Sequence, residues 1–252
     1  MERTMEGKVA LVTGGSYGIG QAAAIAFANL GASVVIADIV EDIEGITLRT
    51  IKTKGGRAIF VACDVSKTVD VQRLIAKTIE VYGRLDFAFN NAGIEGISAP
   101  TQDCTEENWD RTIAVNLKGV WLCMKYQLPE ILKQKGAIVN CASIAGLVGF
   151  QGLPAYVATK HAVVGLTKTA ALENAKTGVR INAVCPGVIK TPMIDRLTGQ
   201  DKKVEKIYED MEPVGRMGSP EEVADVVIFL CSKGASFITG HALAVDGGWI
   251  AA

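Results

Sequence analysis

Tyr156 and Lys160 are four residues apart, in a stretch whose composition favours a helix. Side chains at positions i and i+4 lie on one face of a helix, so a phenol and an ammonium group would be neighbours there. A phenol can exchange protons near neutral pH only if its pKa falls well below about 10, and a nearby cation favours the phenolate. Ser143, at the end of a run typical of a strand, offers a hydroxyl that could hold a substrate oxygen. The three residues predict proton transfer to and from an alcohol or a ketone.

Glycines crowd the segment after the first apolar run, from Thr13 to Gly20, in the spacing G-x-x-x-G-x-G. Glycine lets the backbone turn tightly and approach a pyrophosphate at the start of the following helix. Asp38 ends the second apolar run, where a carboxylate can accept both hydroxyls of an adenosine ribose and would repel a 2′-phosphate. No arginine stands at Tyr17 or Ile39 to receive such a phosphate. The pattern predicts NAD(H) rather than NADP(H) as hydride carrier. The alternatives are a purely structural turn and Asp38 as a helix cap.

Short apolar, β-branched runs alternate with helical stretches along the whole chain. The runs are apolar on both faces, as in a parallel sheet that helices cover on each side. The predicted strands are 9–12, 33–37, 58–62, 85–89, 137–141, 179–184 and 242–245, and the predicted helices are 18–30, 43–54, 68–82, 107–133, 155–174 and 220–230. This alternation predicts one α/β domain over residues 1–252, with right-handed crossovers.

The bulk composition excludes several classes of protein. Hydrophobic residues make up 49% of the 252 residues, enough for a large core, and the net charge of −1 gives no reason to expect nucleic acid or an anionic membrane as partner. The six cysteines are scattered without metal-ligand spacing, which predicts no metal site, no disulfide framework and a reducing, cytoplasmic compartment. The polar N-terminus is not typical of a signal peptide, and polar residues interrupt the most apolar window, 22–39, so no membrane span is predicted.

Residues 193–217 break the alternation with a polar, charged stretch that follows a strand end. Two interpretations stay open: a solvated helical excursion, or a mobile lid over a site at the strand tips.

Taken together, these residues resemble the classical short-chain dehydrogenase/reductase family over essentially the whole chain. The matching motifs are Thr13-Gly14-x-x-x-Gly18-Ile19-Gly20, Asn90-Asn91-Ala92-Gly93, Asn116 between Val115 and Leu117, Ser143, Tyr156-x-x-x-Lys160, and Pro186-Gly187 with Thr191. The resemblance implies a single-domain, Rossmann-like, doubly wound sheet of seven parallel strands in the order 3-2-1-4-5-6-7, with helices on both faces.

The resemblance also implies catalytic roles. Tyr156 would be the general acid/base, Lys160 would favour its phenolate and hold the nicotinamide ribose, and Ser143 would hold the substrate oxygen. Asn116 would help a water molecule pass protons from Lys160 to solvent. An Asn116 that satisfies backbone groups at a helix kink would be compatible with that relay.

The implied cofactor contacts come from the ends of several strands. Asp64 and Val65 would meet the adenine, while the Asn-Ala-Gly turn would lie against the adenosine ribose and brace the sheet. The backbone of Ile189 and the hydroxyl of Thr191 would hold the nicotinamide carboxamide. The cofactor residues so predicted are Gly14, Ser16, Tyr17, Gly18, Ile19, Gly20, Asp38, Asp64, Val65, Asn91, Ala92, Gly93, Tyr156, Lys160, Pro186, Gly187, Ile189 and Thr191.

The substrate cleft is predicted to have a mostly apolar wall without an arginine or lysine placed for a carboxylate. The wall residues are Ile94, Gly96, Ala145, Leu147, Phe150, Leu153, Val188, Met193 and Leu197, and the residues expected to touch substrate are Ser143, Ala145, Phe150, Tyr156 and Met193. A neutral secondary alcohol or its ketone fits this wall better than an anionic acid. The alternatives are a 3-oxoacyl-thioester reductase, which shares these motifs but in many cases uses NADPH, and a redox-inactive NAD-binding scaffold or sensor.

The remaining polar and apolar features predict packing and assembly. Glu95 is expected to face solvent, and His161 and His241 to serve packing or an interface. Residues 157–172 are apolar or small nearly all round, so this helix needs a partner besides the sheet. With the habit of the family, this predicts a helix-pair dimer interface and a homotetramer. The tail 249–252 would form a second interface or close a neighbour's cleft.

Overall fold

Seven strands form one sheet in the computed structural model, which describes residues 4–39 and 45–251. The strands are β1 (Val9–Thr13), β2 (Ser33–Asp38), β3 (Arg57–Ala62), β4 (Phe87–Asn90), β5 (Ala137–Cys141), β6 (Arg180–Pro186) and β7 (Ala242–Val245). Their order is β3-β2-β1-β4-β5-β6-β7, and every neighbouring pair is parallel. The predicted fold class and strand order are confirmed. The assignment of residues 1–252 to a single domain stays a prediction.

The helices follow the predicted segments, and two more lie at residues 192–198 and 202–211. They are α1 (Gly18–Asn29), α2 (Ile46–Thr53), α3 (Thr68–Tyr82), α4 (Glu106–Ile113), α5 (Gly119–Gln134), α6 (Pro154–Asn174), α7 (Pro192–Thr198), α8 (Lys202–Met211) and α9 (Pro220–Cys231). The predicted helical segment 107–133 is helical throughout, as α4 and α5 joined by a π-helical turn, Ala114–Lys118. The predicted helix 43–54 starts outside the described residues, and α2 begins at Ile46.

Helices cover both faces of the sheet, because successive side chains of a strand point to opposite sides. Leu11 packs into a core with α3, α5 and α6, whereas its neighbour Val12 packs into a second core with α1, α2 and α9. Both side chains are fully buried, and burial of a leucine stabilises the fold by about 2 kcal/mol. The unbroken apolar runs of the sequence are therefore the interior of a three-layer structure.

A buried polar network fixes the strands beneath the site. Asn90 on β4 donates to Asn140 on β5 at 2.9 Å, and Gln127 on α5 donates to Asn90 at 2.8 Å. Asn140 in turn donates to Thr167 on α6 at 2.9 Å. Because buried amides are costly unless they are paired, this network holds β4 and β5 in register with α5 and α6.

Helix α6 is not buried on every side within this chain, and the predicted partner besides the sheet stays a prediction. Lys160 and Val163 face the sheet, but His161, Gly165 and Leu172 form an outer strip that is exposed, with Leu172 80% accessible. The strip leaves room for a further partner. Among the described residues, no helix combines the length and apolar character needed to cross a membrane.

Candidate active site

A cleft of about 1380 Å³ opens at the carboxyl ends of the strands. The strand order reverses between β1 and β4, and open α/β sheets bind ligands in the crevice at such a point. Most of the predicted cofactor residues line this cleft: Gly14, Tyr17, Gly18, Ile19, Asp38, Asp64, Val65, Asn91, Ala92, Gly93, Tyr156, Lys160, Pro186, Gly187, Ile189 and Thr191. The predicted substrate residues Ser143, Ala145, Phe150 and Met193 line it as well. The structure thus brings together side chains that are dispersed over 180 residues of sequence.

Lys160 is held between the end of β5 and the ring of Tyr156. Its Nζ donates to the carbonyl oxygen of Cys141 at 2.8 Å and lies 5.4 Å from the centroid of the Tyr156 ring. Only 4% of Lys160 is accessible, so its ammonium group is fixed in place. The predicted pairing of phenol and ammonium on one face of a helix is confirmed.

Ser143 lies two residues after β5 and lines the same cleft. Its Oγ accepts a hydrogen bond from the backbone N–H of Ala145 at 3.1 Å, which caps the short 3₁₀ turn Ile144–Gly146. A Cβ on Gly146 would come within 2.7 Å of the Lys160 carbonyl oxygen. Glycine therefore lets this turn pack directly on α6, which places the serine hydroxyl and the Tyr156–Lys160 pair in one cleft.

Asn116 lies in the π-helical turn and is fully buried. Its Oδ1 accepts from the N–H of Ile94 and its Nδ2 donates to the carbonyl of Ile94, both at 2.8 Å. A Cβ on Gly93 would come within 3.3 Å of Asn116 Oδ1 and 3.7 Å of Lys160 Nζ. Asn116 braces the loop after β4 beside Lys160 and does not itself line the cleft. Its part in a proton relay stays a prediction.

The glycine-rich turn after β1 and the loop after β4 form one unit. Thr13 Oγ1 accepts from the N–H groups of Asn91 and Ala92, at 3.0 and 3.1 Å. Asn91 Nδ2 donates to the carbonyl of Gly14 at 3.0 Å, and a Cβ on Gly20 would come within 2.0 Å of the same oxygen. Gly20 is therefore required for packing and, like the fully buried Ser16, does not line the cleft.

Asp38 ends β2 at the rim of the crevice. Its Oδ2 accepts a hydrogen bond from the backbone N–H of Ser16 at 3.1 Å. Helix α2 has Gly45 at its N-cap, so the carboxylate is anchored to the glycine-rich turn instead of capping that helix. Tyr17 and Ile39 flank it and are 43% and 67% exposed.

Asp64 is an anion that follows β3, the strand next to the one that Asp38 ends. Burial favours its neutral form, but hydrogen bonds from Ser66 and Lys67 outweigh burial and hold the pKa of Asp64 below its ordinary 3.8. Asp64 Oδ1 accepts from the N–H of Ser66 at 3.0 Å and from its hydroxyl at 2.6 Å, while Lys67 Nζ lies 3.3 Å from Oδ2. Asp64 thus presents a fixed negative charge beside Val65.

The loop after β6 is held by a residue that sequence reasoning missed. Val188 N–H donates to Oε1 of Glu212 at 2.6 Å, and only 3% of Glu212 is accessible. Burial raises the pKa of Glu212 above its ordinary 4.5, with repulsion from Asp246 as a further cause. A glutamate beside Pro213 at the end of a charged segment gives no sign in the sequence of being buried.

The segment 193–217 contributes two helices, α7 and α8, to the cleft. Met193, Leu197, Tyr208 and Met211 all line it, so the segment does more than form a solvated excursion. Its motion as a lid stays a prediction. At the far end of the chain, the ring of Trp249 lies 5.6 Å from that of Phe150, so the tail packs on the cleft of its own chain.

The cleft wall contains three charged residues that were not predicted to line it. Glu95 was expected to face solvent, but its carboxylate lines the cleft and pairs with Arg196 at 3.0 Å. Arg196 and Arg111 line the cleft too, although no basic residue was predicted there. Gly96 and Leu147 do not line it: Gly96 packs against Thr112 and Asn108, and Leu147 against the core that contains α5 and α6.

The two histidines lie away from this chemistry, whereas Cys63 and Cys141 line the cleft as buried thiols. His161 and His241 are exposed and do not line the cleft. The six cysteines are free thiols, and burial raises the pKa of Cys63, the one next to Asp64, to about 12. Within residues 4–39 and 45–251, no group of three or more metal-ligating side chains comes together.

Comparison with known proteins gives matches over nearly the whole chain. A family model described as Enoyl-(Acyl carrier protein) reductase matches residues 14–250. The chain is 44% identical to a cyclohexanol dehydrogenase of Acinetobacter sp. (strain SE19), covering 99% of this chain and 97% of that protein. It is 41% identical to a 2,5-dichloro-2,5-cyclohexadiene-1,4-diol dehydrogenase of Sphingobium indicum, covering 98% of each. Among solved structures, a levodione reductase superposes with a TM-score of 0.95 at 35% identity, covering 98% of this chain and 99% of that one.

Proposed function

Because the chain belongs to the short-chain dehydrogenase/reductase family, we propose that it is an NAD(H)-dependent enzyme that interconverts a neutral secondary alcohol and its ketone. The observation that carries the proposal is the buried Lys160 beside Tyr156, in one cleft with Ser143 and Asp38. The residues proposed to transfer the proton and those proposed to bind the dinucleotide thus line the same cleft.

The crevice fits a dinucleotide on its own geometry. Helix α1 starts at the crevice, and its first turn contains no acidic residue. Within the described part of the chain, no side-chain hydrogen bond from its N-cap residue, Tyr17, caps the helix. The first N–H groups of the helix therefore suit a pyrophosphate. Gly14 has φ +62°, and a Cβ there would come within 2.9 Å of Ala92 Cα. The predicted cofactor residues would hold the nucleotide along this floor. When bound, it would accept or supply the hydride at C4 of its nicotinamide.

The side chains of this protein would move the proton. In oxidation, Tyr156 as phenolate takes the proton of a substrate hydroxyl that Ser143 orients, and in reduction it returns that proton. The ammonium group of Lys160, which is buried beside the Tyr156 ring, would hold the nicotinamide ribose. Asn116 keeps the loop at Gly93 close to Lys160, and we propose that a water chain beside it renews the proton.

The choice of NAD(H) rests on Asp38. Its carboxylate lies at the crevice and is anchored by Ser16, where it would accept the ribose hydroxyls and repel a 2′-phosphate. Tyr17 and Ile39 bring no positive charge to that place.

The substrate class rests on the cleft wall and on the relatives. Ala145, Phe150 and Met193 give an apolar surface beside Ser143 and Tyr156, extended by Trp249. Arg196, the basic residue on α7, is paired with Glu95. Apart from Lys160, Arg111 is then the cation of the cleft that could bind an anionic substrate. The names of the relatives, a cyclohexanol dehydrogenase and a cyclohexadiene-diol dehydrogenase, favour an alicyclic alcohol.

One assay tests the proposal against its rivals. NADH formation would be followed with cyclohexanol, cyclohexanediols, 2,3-butanediol and a charged hydroxy acid, beside reduction of a 3-oxoacyl thioester with NADH and NADPH. We expect turnover of neutral alicyclic alcohols with NAD+. Thioester reduction without alcohol oxidation would establish the reductase instead. NADH binding without any turnover would establish a redox-inactive scaffold or sensor.

We also propose that the protein is a cytoplasmic homotetramer. The outer strip of α6 and the fully exposed Phe237 offer apolar surface to further copies of the chain. Sedimentation at micromolar concentration checks this, and a monomer there would contradict it.

A further inference from the structure

Glu212 is a buried acid to which the proposed chemistry gives no task. It follows α8 directly, and its own carbonyl accepts from the N–H of Gly215 at 2.7 Å, which turns the chain back towards the sheet. Its Oε1 accepts from Val188, while its Oε2 is buried and has no hydrogen-bond partner among the described residues. Buried unpaired oxygens are rare and costly, so this one marks a place where another requirement outweighs stability.

Three segments meet at this carboxyl group, and two of them approach through glycine. A Cβ on Gly187 would lie 2.6 Å from Oε1, and a Cβ on Gly247 would lie 3.2 Å from Oε2 and 2.7 Å from Val214. The junction therefore joins the end of the α7–α8 segment, the loop after β6 and the C-terminal loop. Its tight packing leaves Glu212 little freedom to move independently of Val188.

The loop after β6 is otherwise held by few bonds. Ile189 makes a single parallel bridge to Gly218, in which Gly218 N–H donates to the Val188 carbonyl and Lys190 N–H donates to the Gly218 carbonyl, both at 2.9 Å. The hydrogen bond from Val188 to Glu212 is the added link that sets the position of the peptide just before Ile189.

We propose that Glu212 is a positioning residue, which fixes through Val188 the loop that would hold the nicotinamide end of the cofactor. The inference rests on the proposed cofactor and on the proposed role of Ile189 and Thr191. It assigns Glu212 no contact with substrate or cofactor. The hydrogen bond from Val188 to Glu212 also couples that loop to the α7–α8 segment. A shift of the segment would therefore change the affinity for the nicotinamide end of the cofactor.

The test compares two ligands that differ at the nicotinamide end. NADH carries the nicotinamide, whereas ADP-ribose offers only the adenosine, the two phosphates and the second ribose. For Glu212→Leu, which removes the acceptor and fills the volume, we expect NADH affinity to fall about tenfold, as for one hydrogen bond, while ADP-ribose affinity stays within about twofold. Glu212→Gln keeps an acceptor for Val188 and should restore the wild-type ratio of the two affinities.

Asp210→Asn is the matched control, because it removes an exposed carboxylate that pairs with Lys206 on α8, the helix that precedes Glu212. It should leave both affinities unchanged. An equal loss of both ligands in Glu212→Leu, or no loss, would overturn the inference. If the leucine variant does not fold, Glu212→Gln still decides, since a tenfold change in its affinity ratio would overturn the inference and a wild-type ratio supports it. Binding is read without turnover, so an absence of alcohol oxidation would count against the proposed function alone.

Discussion

Glu95 and Arg196, 101 residues apart in the chain, form a two-bond ion pair at the cleft, with Nε to Oε1 at 3.0 Å and Nη2 to Oε2 at 3.2 Å. Glu95 stands on a rigid support, because Asn116 holds Ile94 and Asn108 holds Ile97 at the two ends of its loop. Arg196 belongs to α7. The pair therefore joins the segment proposed as a lid to the fixed part of the cleft.

Loss of this pair should weaken substrate retention more than stability. The Arg196 side chain is 60% exposed, and exposed pairs contribute about 0.2–1 kcal/mol, so we expect Arg196→Met to raise KM for the alcohol about two- to fivefold with little change in Tm. Steady-state kinetics and thermal unfolding check this. Arg216→Met is the matched control, since Arg216 is 59% exposed and makes a similar two-bond pair with Glu222 that does not line the cleft. Equal kinetic effects in both variants would exclude a lid contact.

Removal of the Tyr156 hydroxyl should abolish proton transfer without affecting the crevice. Tyr156→Phe is expected to lose at least about 10²-fold in kcat, the low end for loss of a general acid or base, with NADH affinity nearly unchanged. Tyr208→Phe serves as control, because Tyr208 is another phenol that lines the cleft. Near-normal turnover of Tyr156→Phe would refute its assignment.

The charge of Asp38 should decide between the two nicotinamide cofactors. We expect kcat/KM to favour NAD+ over NADP+ in the wild type, and Asp38→Asn to narrow that preference about tenfold. Asparagine can still accept the hydrogen bond from Ser16, so the variant removes mainly the charge. A wild-type preference for NADP+ would contradict the cofactor proposal.

Ionisation of Glu212 should make the protein less stable as pH rises. Burial raises the pKa of this carboxyl above its ordinary 4.5, and Asp246 adds repulsion. The folded state thus binds the proton more tightly than the unfolded state. This contribution to stability is fully present below about pH 4.5 and is lost as pH rises through the raised pKa.

A comparison of wild type with Glu212→Gln isolates the contribution of Glu212 to the pH dependence of stability. It is needed because a carboxylate with a lowered pKa makes the protein more stable, not less, as pH rises. Burial alone would raise the pKa of Asp64, but hydrogen bonds from Ser66 and Lys67 outweigh burial and lower it. Asp64 therefore contributes stability that is lost as pH falls. Thermal unfolding of wild type and variant from pH 4 to 8 should show the variant gaining relative stability as pH rises. A difference in Tm that does not change with pH would contradict the prediction.

The sequence by itself determined the elements and the chemistry that depends on local spacing. Strands such as β5 and the helix that carries Tyr156 and Lys160 follow from apolar runs and from the i, i+4 periodicity of a helix, which act over a few residues. The glycine-rich turn and Asp38 follow in the same way, since a tight turn needs glycine wherever the turn is placed.

The tertiary structure alone decided which distant side chains share the cleft. Neither the pairing of Glu95 with Arg196 nor the burial of Glu212 beside Val188 has a periodic signal, because each depends on contacts between segments 24 or more residues apart. The π-helical turn at Asn116 likewise depends on the loop that it braces. A charged residue that the sequence predicts to face solvent becomes part of the site when another segment packs against it. Which segment does so is specified only by the packed fold.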